Sequence, residues 1–274
     1  MEVFEGFMLE HGGVIWSVKG CHHPDGYAVA TPRYFKGRKI KTLREGMEVV
    51  RGHFPHYLKY VAEIGFEVPL VPLKDSQILN PFTRKVADPH LQEFMDHFHD
   101  VGITGSFLYL GNGGDLDLLS TNLRNYEVLA ELRRRGITSP LNEINPVEVE
   151  VLDSRDFLDL KLHRILEGKF RGYPYTFKIV ECEDFGEVRY SEKFNGTVVV
   201  ERALKPFSLP VKYLTSEGMV LTSFRTRFTE IPEGSILKVR GLLLHRRDFL
   251  DLDLDLAEEV KILGPGKGNL TCLP

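Results

Sequence analysis

Apolar positions alternate with polar ones or run in short blocks near both ends of the chain, and recur at helical spacing through its middle. Residues 14–18 read as a strand after the His11-Gly12-Gly13 turn, and residues 27–30 return after the turn signal Pro24-Asp25-Gly26, giving a hairpin. Residues 43–64 read as a helix broken near Pro55, with Tyr57, Tyr60, Val61 and Ile64 on one face. Residues 66–71 read as a short strand. Pro69, Pro72 and Pro81 mark a linker and place a domain boundary near residue 80. Asp88-Pro89 is a helix-opening pair, a capping acid and then proline at the first helical position. Leu91, Phe94, Met95 and Phe98 give that helix a buried face. A second helix is expected from Asn122 to Arg135, stopped by Gly136, and a third over 155–167, capped by Asp153 and closed by Gly168. From residue 173 onward short β-segments dominate, with strands expected at 173–182, 196–202, 207–214, 219–228, 235–245 and 258–263. Pro232-Glu233-Gly234 followed by Ile236, Val239 and residues 242–244 suggests a small closed barrel.

Residues 102–120, GITGSFLYLGNGGDLDLLS, are the stretch with chemistry in it. Gly105-Ser106 closes one apolar run, a glycine-rich turn follows, and Asp115-Leu116-Asp117 opens a second run. Side chains two apart on a strand share a face, so Asp115 and Asp117 present their carboxylates together while Leu116 and Leu118 point into a core. Two such carboxylates repel unless a hard cation sits between them. Mg²⁺ suits the position, since it divides its shell between one or two carboxylates and substrate phosphates. The Gly-Ser turn offers backbone N–H groups to a phosphate. D-x-D alone is most often a solvated strand face; the Gly-Ser upstream and the apolar run on each side argue for more.

The arrangement resembles the signature of the DNA polymerase β-like nucleotidyltransferase superfamily: a hydrophobic residue, Gly-Ser, a short spacer, then two acids alternating with apolar residues. The matching positions are Gly105, Ser106, Asp115 and Asp117, with Gly111 at a glycine often seen in the spacer. Many members carry a basic residue soon after Gly-Ser. Here Phe107-Leu108-Tyr109-Leu110 stands in its place, so phosphate charge has to be met from elsewhere. Residues 14–34 also resemble the N-terminal part of archaeal proteins carrying a nucleotidyltransferase-type domain. The resemblance implies transfer of a nucleoside monophosphate from an NTP to a hydroxyl with release of pyrophosphate. Asp115 and Asp117 would hold Mg²⁺, and Gly105 and Ser106 would contact the β- and γ-phosphates.

A two-metal transferase uses a third carboxylate on the attacking hydroxyl or in one metal's shell. Two places offer one. Residues 147–151 alternate strictly and set Glu148 and Glu150 on the polar face of an expected strand, while Glu181 ends the strand expected at 173–182. Glu150 is the preferred catalytic candidate and Glu181 stays open beside it. Lys178 occupies the position in that strand where an acid would be most useful.

Composition narrows the partners. The chain has 274 residues, 42% hydrophobic and 27% charged, room for one large domain or two to three small ones. A net charge of −4 argues against non-specific binding of long nucleic acid. Positive charge is concentrated in residues 33–44 and 164–171, so Lys36, Arg38, Lys39, Arg164, Lys169 and Arg171 are expected to rim the cleft over the Asp115–Asp117 strand, with Lys169 and Arg171 binding nucleotide. A polyanionic acceptor such as an RNA end would then fit. Cys21, Cys182 and Cys272 are odd in number and far apart, which suits a reducing interior and gives no disulfide framework. With no apolar stretch of membrane-spanning length, the expectation is a cytoplasmic protein. Asp251-Leu252-Asp253-Leu254-Asp255 repeats the D-x-D spacing without a Gly-Ser, and reads as a solvated edge-strand face.

The fold class expected is therefore α+β: a β-rich and helical N-terminal region (1–80), a nucleotidyltransferase-like mixed sheet with helices (81–182), and a C-terminal β-barrel-like, OB-like domain (183–274). Three functional readings stand: an Mg²⁺-dependent nucleotidyltransferase, a non-catalytic nucleotide- or RNA-binding protein on a decayed transferase scaffold, and a structural module in an archaeal complex on which the D-x-D is only a surface.

Overall fold

The structure, a computed structural model, describes residues 2–144 and 149–264. Three sheets and five helices among these residues make a mixed α/β architecture rich in strand.

The first sheet uses β1 (Met8–His11), β2 (Val14–Val18), β3 (Tyr27–Phe35), β4 (Arg38–Lys39), β5 (Leu58–Val61), β6 (Phe66–Pro72) and β7 (Gln77–Leu79), in the order β5-β6-β3-β2-β1-β7 with β4 on β3. The expected hairpin is β2–β3, with Val18 opposite Ala30 and a register shift beside Pro32. Pro32 has no N–H to give the ladder, which is where strands take up irregularity. Helix α1 (Leu43–His53) starts where Thr42 Oγ1 accepts the Glu45 N–H at 3.2 Å. It does not resume after Pro55. A single 3₁₀ turn follows, and then β5 pairs with β6 through a turn at Gly65, whose φ is +85°. Tyr60, expected on a buried helical face, is 61% exposed on β5. Helix and strand periods are hard to separate over so short a run. Pro69 and Pro72 lie within β6 rather than in a linker.

The middle sheet has the order β10-β11-β12-β9-β8, built from β8 (Val101–Ile103), β9 (Leu116–Ser120), β10 (Thr138–Ser139), β11 (Glu167–Phe170) and β12 (Tyr173–Ile179). β9 lies between β8 and a parallel β12, with Asp117 opposite Thr176 and Leu119 opposite Lys178. Helices α2 (Pro89–Met95), α3 (Gly105–Leu110), α4 (Arg124–Arg134) and α5 (Ser154–His163) accompany it. Asp88 caps α2 as expected, its Oδ1 accepting the Leu91 N–H at 2.8 Å, and Asp153 caps α5 in the same way. Two expectations fail locally. Residues 149–151 form a turn instead of strand, with Glu150 at φ +47°, while Glu148 lies outside the described residues. Gly168 does not close α5, which ends five residues earlier; it sits within β11, where a Cβ would meet the Ser139 carbonyl oxygen at 2.6 Å.

The third sheet contains β13 (Val188–Lys205), β14 (Val211–Thr215), β15 (Val220–Ser223), β16 (Ile236–Arg246), β17 (Leu250–Asp253) and β18 (Glu259–Gly264). The long β13 pairs with β16 along its first half and with β14 along its second, so the path β13-β14-β15-β17-β16 returns to β13. The second D-x-D run is not a solvated edge. β17 is hydrogen-bonded on both sides, parallel to β15 and antiparallel to β16, and Asp251 is fully buried.

The three sheets are fastened together by named contacts. Buried Glu230 accepts from Tyr126 Oη at 2.8 Å and from the backbone N–H groups of Ile165 and Leu166, tying the third sheet to the middle one. Arg246 Nη1 donates to the Glu63 carbonyl oxygen at 2.7 Å, tying it to the first. Cys21 and Cys182 form a disulfide across 161 residues, contrary to the expectation of no disulfide framework. Spacing along the chain could not pair them, because the pairing depends on how the first two sheets dock. Among the described residues no helix is long and apolar enough to cross a membrane.

Candidate functional site

Gly105 opens α3 rather than closing a strand, so the signature is a strand–helix–strand unit: β8, α3, a glycine-rich turn, β9. Thr104 fixes the junction. Its N–H donates to the Asp117 carbonyl oxygen at 3.0 Å, and its Oγ1 donates to the Gly6 carbonyl oxygen at 2.7 Å. Gly105 then takes φ +64°, and its α-carbon lies so close to Asp117 that a Cβ would stand 2.0 Å from Oδ2. Gly111 (φ +76°) caps the C-terminus of α3, its N–H bonded to the Phe107 carbonyl oxygen. Gly113 is the spacer glycine with a packing reason, since a Cβ there would stand 2.3 Å from Ser106 Oγ.

Two hollows flank this unit. The outer one, ≈ 500 Å³, has Ser106, Asn112, Gly113 and Gly114 on one side and Lys36, Gly37 and Lys39 of the β3–β4 hairpin on the other. Lys36 and Lys39 of the first sheet thus face the Gly-Ser unit, which has no basic residue in positions 107–110. The inner cavity, ≈ 710 Å³, lies where the three sheets meet; Gly105, Asp117, Thr176 and Lys178 form one part of its wall.

Asp117 lines the inner cavity, near enough to Lys39 of the outer hollow to feel its charge. Burial, and then the charge of the exposed Asp115, pushes its carboxyl up to about 6, against the pull of Lys178, Arg33 and Lys39. Lys178 Nζ is bound to buried Glu5 Oε1 at 2.8 Å, and Glu5 Oε2 accepts the Gly20 N–H. Burial alone would raise Glu5, but Lys178 and Lys19 hold it down to about 2.

The raised carboxyl has a consequence for stability. Asp117 binds its proton more tightly folded than unfolded, so its contribution is present below its unfolded value near 4 and is lost as pH rises through 6. Two pKa units set an upper bound of about 3 kcal/mol, reduced by cavity water. Asp117→Asn should therefore melt higher than wild type at pH 7.5 in Mg²⁺-free buffer, with the gap closing at pH 4. Thermal denaturation at the two pH values checks this; a variant that is less stable at both would refute it.

The remaining expected residues fall differently. Arg38 pairs with Glu45, Lys169 with Glu143 and Arg171 with Glu93, and none of the three lines either hollow. Arg164 is wholly buried, bound to Glu167 and to the Arg227 carbonyl oxygen at 2.6 Å. These four are structural cations. Glu150 reaches the inner cavity, but its carboxylate is held by Arg225 and Arg227. Glu181 follows β12 and bonds through its backbone to Leu209 and Lys205. Two carboxylates fit a single Mg²⁺ whose shell is completed by phosphates; among the described residues no group of three or more His, Cys, Asp or Glu is gathered as a metal cluster.

Sequence reasoning missed Glu5, Lys19 and Arg33 as wall residues of the cavity. A signal was available in the polar positions Ser17, Lys19, Thr31 and Arg33, each pair two apart along the expected β2–β3 hairpin. Comparison with family models, curated proteins and solved structures finds no match, so the chemistry of this site is argued from its geometry alone.

Proposed function

We propose that this chain is a nucleotidyltransferase, moving a nucleoside monophosphate from an NTP to a hydroxyl. The observation that carries the reading is the position of Asp117, locked against Gly105 in the wall of the charged inner cavity, while Ser106, next in the chain to Gly105, lines the lysine-bearing outer pocket. Ser106 and the backbone of Gly113 and Gly114 line the outer pocket with Lys36 and Lys39, a donor set suited to the triphosphate. Asp115 and Asp117 would hold Mg²⁺, which when bound would neutralise charge on the phosphates. Asp117's raised carboxyl fits that role, because a nearby divalent cation favours the ionised form. Positioning and charge neutralisation supply nearly all of such catalysis, with no covalent intermediate on the protein.

A second reading, nucleotide binding without transfer, is favoured by one feature. Thr176 and Lys178 stand beside β9 where a third carboxylate would serve, and Glu150 is tied to two arginines. Two measurements separate the readings. Calorimetric titration with each NTP should show Mg²⁺-dependent binding that falls about tenfold or more in the Asp115→Asn, Asp117→Asn double variant, the equivalent of losing ~1.4 kcal/mol. Unchanged Mg²⁺-dependent affinity would remove both readings from this site. Incubation with α-labelled NTP then decides between them, since only a transferase leaves label on an acceptor.

A further inference from the structure

The inner cavity has a wall that the nucleotide reading does not use. β2 and β3 are adjacent inner strands of the first sheet, and they turn Ser17, Lys19, Thr31 and Arg33 into the cavity. Central strands normally bury apolar side chains on such a face, so four polar residues there are a feature to be explained. The Lys19 side chain makes no hydrogen bond or ion pair within the described residues and lines the cavity, while its backbone N–H donates to the Val29 carbonyl oxygen at 2.8 Å. Arg33 donates to the Ile40 carbonyl oxygen at 3.0 Å and forms no ion pair. Lys178 and Arg225 lie near enough to act on Lys19 electrostatically, so cations from all three sheets converge. Burial pushes the Lys19 ammonium down; Glu5 opposes this, and Lys178, Arg33 and Arg225 add to it. Among the acids lining the cavity, Glu5 is engaged by Lys178, Glu150 by two arginines, and Asp255 by Ser223 Oγ and the Phe224 N–H; Glu67, Asp117 and Asp184 line it as well.

We propose that this cavity is an acceptor site, and that it takes a small oxyanion-bearing molecule with a free hydroxyl, its phosphate or carboxylate held by Lys19 and Arg33. The word acceptor rests on the nucleotidyl-transfer reading; the oxyanion site does not. A volume of ≈ 710 Å³ is that of a small-molecule pocket, and three sheets enclose it. A long polyanion is disfavoured, because Arg38, Lys169 and Arg171, three of the cations expected to meet one, are paired with acids. In the transfer the acceptor hydroxyl oxygen bonds to the α-phosphorus, and the bond from that phosphorus to the bridging oxygen breaks. Pyrophosphate leaves with the electron pair, and the hydroxyl proton goes to water.

The test is calorimetric titration of the full chain with inorganic phosphate and, separately, succinate, in Mg²⁺-free buffer without nucleotide. At least one should bind with a dissociation constant below about 10 mM, and the preferred one tells whether the natural group is a phosphate or a carboxylate. Lys19→Met should weaken that binding about tenfold or more, as expected for losing a hydrogen bond to a charged group. Lys19→Arg should hold it within about threefold, which separates loss of charge from misfolding. Arg247→Ala, on the exposed surface and in neither hollow, should leave it within about twofold. No binding of either anion by wild type would overturn the proposal, as would binding indifferent to Lys19→Met or abolished by Arg247→Ala. Anion binding at Lys19 in a protein that binds no Mg²⁺–NTP would sink the nucleotide reading and leave the oxyanion site in place.

Discussion

Gly105→Ala is expected to weaken Mg²⁺–NTP binding by up to about a hundredfold while leaving the protein folded. The methyl carbon would stand 2.0 Å from Asp117 Oδ2, 2.8 Å from its Cγ and 2.9 Å from its Cβ. The backbone cannot retreat cheaply, because Thr104 is bonded on one side to the Asp117 carbonyl oxygen and on the other to Gly6. Asp117 must therefore swing its carboxylate away from its place against Gly105 in the cavity wall. Losing one charge-assisted contact to a bound cation or phosphate costs about 1.5–3 kcal/mol, the source of the hundredfold figure. Alanine at φ +64° adds a conformational cost of about 1–2 kcal/mol to folding. Gly111→Ala is the instructive comparison. It has the same left-handed backbone, but its nearest atom is Arg84 Nη2 at 3.5 Å, and it carries no carboxylate against it. That variant should lose stability alike and bind nucleotide within a few-fold of wild type. Calorimetric titration and thermal melting of the two variants side by side check the pair. If both bind as wild type does, Asp117 is not part of a nucleotide site; if both fail equally, the effect is helix α3 and not the carboxylate.

How much of this could be read from the chain depends on the range of the forces involved. Capping is local, and Asp88 and Asp153 were legible because a carboxylate three residues ahead of an N–H needs nothing else. The Gly105–Asp117 pairing was legible as a motif but not as a geometry. The sequence reads as a glycine-rich turn following Gly105-Ser106, whereas Gly105 at positive φ first turns the chain into helix α3 and Gly111 ends it. The route of positive charge was half legible. A basic cluster at residues 33–44 does face the Gly-Ser unit through Lys36 and Lys39, whereas the cluster at 164–171 is spent on Glu143, Glu93 and Glu167. No local signal tells a lysine aimed at a cavity from one bound to a glutamate seventy residues away. The cysteines make the same point. An odd count with long spacings argues for free thiols, and the sheets nonetheless bring Cys21 to Cys182 beside the cavity. That bridge removes the cysteine-based reason for placing the protein in a reducing compartment.

The second D-x-D run shows the cost of reading alternation without knowing the neighbours, and it carries the largest stability effect expected here. Asp251→Ala should destabilise the protein by about 3–5 kcal/mol, the range for removing one partner of a buried ion pair. Asp251 is fully buried and accepts from Arg246 Nε at 2.7 Å and from Thr222 Oγ1 at 2.6 Å. Arg246 is itself buried, and its Nη1 donates to the carbonyl oxygens of Glu63 and Gly186 at 2.7 Å each. Without the carboxylate, a guanidinium stays out of water among carbonyl groups that only partly balance its charge. Burial pushes the Asp251 carboxyl up and Arg246 pulls it back, so the pair stands or falls together. Replacing both, Asp251→Ala with Arg246→Met, should recover part of the loss because no charge is left stranded, although the bonds to Glu63 and Gly186 go with it. Arg247→Ala supplies the contrast. Its pair with Asp248 is open to solvent at 79% and 86% exposure, so its removal should change stability by no more than about 0.5 kcal/mol. Urea unfolding of the three variants against wild type measures all of these at once. If Asp251→Ala unfolds within about 1 kcal/mol of wild type, β17 is not the buried strand that closes the third sheet and water reaches Asp251 after all.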